Sequence, residues 1–367
     1  MFCKENDNKQ NYLKEKFFKY KAVKKNDNHP GTFKPLRANR NKKALIELYK
    51  FSILLIYFII IIKIKVTTSL RNKKLNKLNE IKIKIIGSGE QSILNSKFET
   101  QPSEILVNGN STNIDLQNKI SNLDNDINII TMKWDYNVIN CISMFAGLTN
   151  LTEVDLSNFD GSKIKSMSFM FYDCSNLESV NFSNIKTPYL TNIGLLFYGC
   201  ESLLSVDLSS LNTSSVTNMA SMFYGCTSLT SINLTNLNTS KLTEMGYLFY
   251  SCTSLTSVDL SYFNTSAVTQ MNYMFSNCLS LTSIDLSKFN TDSLANVNGL
   301  FSNCKNLTYI NMPNFDLSKV TSLYSLFKGC QNLEYINVNN CKEGNQITNI
   351  DRFFDEVPNN IHIALII

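Results

Sequence analysis

In a chain of 367 residues, 43% hydrophobic and only 18% charged, there is enough apolar material for a large core, and ten cysteines are too few for a disulfide scaffold. The net charge of +5 hides an asymmetry: residues 1–140 carry +12 and residues 141–367 carry −7. The basic half is rich in Lys and Asn without an Arg–aromatic pattern, so it reads as a solvated tail and no nucleic-acid partner is expected.

Residues 1–43 are polar and Asn-rich, with Pro30, Gly31 and Pro35 opposing helix, and are expected to be disordered. The uncharged run FSILLIYFIIII at 51–62 follows. It widens to 45–66 if Lys50, Lys63 and Lys65 snorkel and Glu47 lies at the boundary, which approaches the roughly 20 residues of a membrane span. Residues 44–66 therefore read as an uncleaved signal-anchor; a signal peptide fits less well, because a long polar segment precedes the run and no small-residue cleavage site follows. Lysines and arginines flank both sides, with a slight excess after Ile62, which disfavours an outward-facing C-terminal portion. Residues 67–99 read as a basic stalk. Within it, IKIKII at 81–86 alternates as a strand does and GSG at 87–89 reads as a turn, not as a dinucleotide fingerprint. Residues 100–140, with the single Trp134, read as an N-terminal cap.

From 141 to 357 the chain is periodic at 26 residues. Phe recurs at 145, 171, 197, 223, 249, 275, 301 and 327, Leu six residues after each, and Val or Ile nine after each. The consensus is roughly MFxxCxxLxxVDLSxFNTSxVTxM. Val and Leu two apart share one face of a strand, and one strand per rung can bury its apolar side only by stacking. The expected fold class is an α/β repeat solenoid of leucine-rich repeat type: a stacked parallel sheet of eight or nine rungs, on the order of 40 Å long, preceded by one N-terminal transmembrane helix. The spacing of VTxMxxMF predicts a short helix on the return limb. Residues 358–367 read as a C-terminal tail, whose IHIALII would be exposed unless it caps the core.

Blocks such as SMFYGCTSLTSINLTNLNTSKLTEM at 221–245 resemble the BspA-like leucine-rich repeat family, in particular its 26-residue-repeat microbial surface proteins. The resemblance covers about 138–357. It implies display at a cell surface and adhesion or other binding, and supplies no catalytic residue.

The cysteine at 174, 200, 226, 252, 278, 304 and 330 returns with every rung. Equivalent positions about 5 Å apart lie within disulfide reach, yet such side chains point the same way. No CxxC occurs, and the two histidines are His29 and His362. Leu148 fills the slot in the first rung, so the column reads as small buried hydrophobes; scattered disulfides and a metal site are the weaker alternatives.

The candidate binding face is the polar column Asp155, Asn181, Asp207, Asn233, Asp259, Asp285, Asn311 and Asn337, joined by Tyr309 and Tyr335. Such a face suits an extended protein or glycan, could hold calcium weakly, or is simply solvated. A second column, Tyr172, Tyr198, Tyr224 and Tyr250, reads as half-buried packing or as contact residues. Sequons at Asn110, Asn150, Asn181, Asn212, Asn233, Asn238, Asn264 and Asn306 matter only in a secretory lumen. No cofactor, metal or catalytic site is expected. The function that fits is a single-pass plasma-membrane protein with its repeats outside, binding proteins or glycans on another cell or matrix. The alternative is an intracellular scaffold with the repeats on the cytoplasmic side; an enzyme hidden in 67–140 has no motif to support it.

Overall fold

The computed structural model describes Tyr57, residues 59–63 and residues 79–364. The chain forms two compact units, Met1–Thr67 and Thr68–Ile367. In the first unit Tyr57 and residues 59–63 are helical, and no helix among the described residues is long and apolar enough to cross a membrane. The rest of the expected anchor at 44–66, the basic tail at 1–43 and residues 365–367 lie outside the described residues.

The second unit begins with β1 (Glu80–Ile86), where the alternation of IKIKII predicts a strand: Ile81, Ile83 and Ile85 are buried, and Lys82 and Lys84 face outward. The glycines that follow adopt the positive φ of a turn, 109° at Gly87 and 75° at Gly89. This strand belongs to the cap and not to a stalk. Together with β2 (Gly89–Ser92), β3 (Glu104–Val107), β4 (Asn110–Thr112), β5 (Lys119–Leu123) and β6 (Ile127–Lys133) it covers the first rung. The six-stranded sheet runs β4-β3-β6-β1-β7-β8, with β7 (Leu151–Asn158) and β8 (Ser179–Asn181) contributed by the repeats. β1 pairs antiparallel with β6 and β7, setting Ile83 opposite Val154, and so closes the edge that the first rung would expose. Trp134 is 1% exposed, donates Nε1–H to the Thr100 carbonyl at 3.1 Å and meets Phe159 edge-on.

Phe145, Phe171, Phe197, Phe223, Phe249, Phe275, Phe301 and Phe327 form one continuous stack, with neighbouring centroids 5.4–5.8 Å apart and ring planes within 14° of parallel. Burial of each ring contributes about 2 kcal/mol, the upper part of that figure assuming a fully extended unfolded chain.

The return limb contains no helix, which corrects the expectation from VTxMxxMF. Two residues per rung have positive φ, one two positions before the Phe and one two positions after it, as at Phe169 (59°) and Asp173 (54°) or Tyr247 (58°) and Ser251 (57°). Those values break a right-handed helix. Alternate N–H groups instead donate to the next rung: Met167, Phe169, Phe171 and Asp173 bond the carbonyls of Asn192, Gly194, Leu196 and Tyr198 at 2.7–3.3 Å. The intervening N–H groups close local turns, Tyr172 to Phe169 and Cys174 to Phe171. The same ladder recurs from Cys141 to Asp355. At Gly199 (φ 69°) a Cβ would lie 2.3 Å from Asp173 Oδ1, so backbone and space both favour glycine there, while Asn277 and Asn303 hold the same position in later rungs.

Two side-chain columns reinforce this ladder. Each cysteine of the repeat is buried and its Sγ–H donates to the carbonyl of the Phe 29 residues earlier, Cys174 to Phe145 at 3.0 Å through Cys330 to Phe301 at 3.1 Å. Burial pushes the Cys174 and Cys330 thiols up to about 12, and that of Cys226 higher. The described cysteines are all free thiols. The Thr of the NTS triplet is also buried. Thr213 Oγ1 donates to the Asn238 carbonyl at 3.1 Å and accepts from the Asn238 N–H at 2.8 Å; Thr239 and Thr265 do the same one rung on.

The LxxVxL limb differs from the expected uninterrupted sheet. β7 and β8 pair in parallel, and β9 (Ser283–Asp285), β10 (Tyr309–Asn311), β11 (Tyr335–Asn337) and β12 (His362–Ala364) form a second parallel sheet, which carries the array into the expected tail. Between them stands a single bridge, Asp207 to Asn233. Pairing follows the Asp/Asn column. Asn181 Nδ2 donates back to Asp155 at 2.9 Å, Asn311 to Asp285 at 2.9 Å and Asn337 to Asn311 at 2.7 Å. The intervals that stay open, 181 to 207, 233 to 259 and 259 to 285, are those whose later residue is Asp, which has no amide to donate. The continuous ladder on the other limb makes these gaps tolerable.

Replacing Thr213 by Val should cost about 2 kcal/mol, because the Asn238 N–H and C=O lose their shared partner, whereas Thr213→Ser should lose less than half of that; equal losses in urea unfolding would contradict the role given to the hydroxyl. Asp259→Asn should slow amide exchange at 231–233 and 257–259 by about tenfold or more, and unchanged exchange would break the donor rule. The eight buried thiols should resist a thiol-specific reagent in the native protein and react only on unfolding.

Candidate binding face

The Asp/Asn column is first of all a turn device. Except at Asn311, where Pro313 has no N–H, the Oδ1 of each residue accepts the backbone N–H two residues on, as for Asp155 from Ser157, Asp207 from Ser209, Asn233 from Thr235, Asp259 from Ser261 and Asp285 from Ser287, at 2.8–3.1 Å. The Ser209 N–H and then its hydroxyl hold Asp207 below the usual carboxylate range; at Asp259 the Ser261 hydroxyl acts first and its N–H second. For Asp285 burial is the largest influence and acts upward, yet the Ser287 N–H and hydroxyl and the Asn311 amide together bring it below the usual range.

The candidate residues thus fall into two groups. Asp155 and Asn181 are joined, as are Asp285, Asn311 and Asn337. Asp207, Asn233 and Asp259 have no side-chain bond to one another among the described contacts. Tyr309 and Tyr335 stack at 5.1 Å with planes 4° apart, and His362 continues the column 5.3 Å from Tyr335. At the other end the face runs into the cap, where Lys82 lies opposite Asp155 and the Lys84 ammonium sits 2.6 Å from Glu153. A cleft of about 530 Å³ lies there over Ile83, Ile129 and Val154.

The second tyrosine column is half-buried packing. Tyr172, Tyr198, Tyr224 and Tyr250 stack at 4.2–4.6 Å, and burial raises the phenols of Tyr198, Tyr224 and Tyr250. Tyr247 and Tyr273, which the periodicity does not single out, stack at 5.1 Å beside it. Among the described residues no three His, Cys, Asp or Glu side chains are grouped to hold a metal ion. Of the sequons, Asn181 uses its amide on Asp155 and Asn150 donates to the Ser92 carbonyl at 3.0 Å, so a glycan there would displace a structural bond.

Near the end of the array, Lys342 reaches Asp316 at 2.7 Å and Asp292 at 3.6 Å, and its ammonium, with Ser318, holds Asp316 far below the usual range. A second cluster that the repeat pattern hid lies on the return face of the first rungs, where Lys163, Lys165 and Tyr189 line a cleft. The signal for it in the sequence is the lysine at 165, one rung before the Thr column 191, 217, 243 and 269.

Among solved structures, the TLR13–ssRNA13 complex is 19% identical over 62% of this chain and 38% of that one, with a TM-score of 0.30. The Toll–Spatzle complex of Drosophila is 16% identical over 60% and 37%, with a TM-score of 0.28. The chain thus spans well under half the length of these two. A leucine-rich cell surface protein from Faecalibacterium prausnitzii A2-165 is 19% identical over 64% of this chain and 84% of that one, with a TM-score of 0.24. No curated protein matches. The family described as "Mycoplasma protein of unknown function, DUF285" matches residues 114–232 and 226–340, more than half of the chain, and to that family the protein belongs.

Proposed function

We propose that the chain is a non-catalytic binding protein of the cell surface, held by residues 44–66 in the plasma membrane, whose solenoid engages proteins or glycans of another cell or matrix. The observation that carries this reading is the regular outer face itself. Side chains that could do chemistry are spent on the rungs: the thiols lie inside bonded to carbonyls, the buried Thr hydroxyls bridge rungs, and the Asp/Asn carbonyl oxygens cap turns. A regular array of polar side chains and stacked aromatics offers shape and hydrogen bonds over a long surface instead of one reactive centre. The uncharged stretch at 51–62 supports the anchor, and the likeness to microbial surface proteins supports outward display.

The lysines that follow Ile62 favour the second reading, an intracellular scaffold with the repeats at the cytoplasmic face. Protease treatment of intact cells carrying tags at both termini separates the two. Loss of the C-terminal tag with survival of the N-terminal one is expected; protection of the C-terminal tag until the membrane is permeabilised would replace the surface reading by the scaffold. On the surface reading, the double substitution Tyr309→Ala/Tyr335→Ala should lower attachment of cells to a matrix at least about threefold while leaving the urea midpoint within about 10%, and unchanged attachment would remove these tyrosines from the binding face.

A further inference from the structure

The rungs explain most side chains of the array, and the cleft at its first two rungs is where that explanation stops. The column 20 residues after each Phe holds Thr at 191, 217, 243, 269 and 321. Several of these hydroxyls donate to the previous rung: Thr191 to the Lys165 carbonyl at 3.0 Å and Thr243 to the Thr217 carbonyl at 3.0 Å. Lys165 serves the column with its backbone carbonyl alone, and its side chain has no part in stacking. Lys163, two residues earlier, is also exposed, with its ammonium 5.9 Å from the centre of the Tyr189 ring, within reach of a cation–π contact. Tyr189 occupies the next rung and remains 56% exposed.

We propose that this cleft binds an acidic glycan, a short oligosaccharide carrying carboxylate groups. Its volume is about 530 Å³, within the range of small-ligand sites. Two lysines line it, and no carboxylate does. Among the described residues neither Lys163 nor Lys165 takes part in an ion pair. On an array of net charge −7 this is a local positive spot that the fold does not neutralise. The remaining lining fits a sugar. Tyr189 offers an aromatic surface for the C–H face of a pyranose, the Asn140 amide, whose Oδ1 accepts the Ile142 N–H, keeps its Nδ2–H groups for hydroxyls, and Ile139 and Ile142, 67% and 41% exposed, form an apolar wall. Lysine holds a carboxylate as a point charge without demanding one planar geometry, which suits a ligand whose acid groups vary in orientation.

The proposal rests on the surface-binding reading for its setting, and its test is independent of membrane orientation. Full-length chain carrying Tyr189→Trp, in detergent micelles, is titrated with trigalacturonate and with its methyl-esterified form. The new indole reports from the cleft itself, so attachment to the basic N-terminal residues leaves its emission unmoved. A saturating emission change with trigalacturonate is expected, weakened about tenfold or more by methyl esterification and by Lys163→Gln/Lys165→Gln, but not by Lys241→Gln/Lys319→Gln in the same column as Lys163. Raising salt from about 50 mM to about 500 mM should weaken it as well. Calorimetric titration of the wild-type chain against Lys163→Gln/Lys165→Gln gives the same comparison should the indole perturb the cleft. No emission change and no calorimetric difference, or equal binding of the esterified probe, would overturn the proposal. A protected C-terminal tag with intact trigalacturonate binding would retire the surface reading alone; an outward solenoid without binding would retire this site alone.

Discussion

Everything in the repeat unit depends on the backbone ladder of the turn limb. Two left-handed residues per rung turn alternate N–H groups out of the chain and toward the next rung, where they meet carbonyls at 2.6–3.3 Å. Such conformations are costly for residues such as Phe169 or Tyr247, and they persist because each is fixed by bonds above and below. Once that limb is set, the Phe stack, the thiol-to-carbonyl bonds and the Thr bridges follow, since all need rungs in register. The strand limb is the dependent partner: side-chain amides join 155 to 181 and 285 to 311 to 337, while the Asp207–Asn233 bridge and the β11–β12 pair form without them.

This hierarchy changes what the polar residues mean. Read as a surface, the Asp/Asn column is a ready binding strip. Read with its bonds, it is a row of turn caps whose amides decide which strands join. What it can offer a partner is the outward side of groups already engaged, together with the stacked Tyr309, Tyr335 and His362. The first rungs differ because Lys163 and Lys165 have no such structural duty.

The period itself was plain in the sequence, because buried Phe, Leu and Cys must recur whenever the rung recurs, and the alternation at 81–86 revealed β1 for the same reason of burial. The absence of a return helix was partly legible: Gly147, Gly199, Gly225, Asn277, Asn303 and Gly329 occupy the second left-handed position, and these residue types tolerate it. At the first such position stand Phe169, Leu195, Tyr247 and Tyr273, whose propensities point elsewhere, so tertiary bonding overrides the local signal. The gaps in the strand limb were hidden because Asp and Asn look interchangeable until one asks which can donate. The cap extends to residue 80 because β1 returns antiparallel onto β7, a long-range pairing that local periodicity does not encode.

The open intervals at 181–207, 233–259 and 259–285 also give the array a mechanical character. A rod bonded along both limbs resists bending equally in either direction. Here one limb is bonded throughout and the other only in sections. Tension along the axis is borne by the turn limb, while the strand limb can part at joints crossed by few and long backbone bonds, such as Thr256 N–H to the Thr230 carbonyl at 3.4 Å and Thr282 N–H to the Thr256 carbonyl at 3.5 Å. The solenoid should therefore flex toward its turn limb more readily than toward its strands, as a spine does that is continuous on one side and jointed on the other.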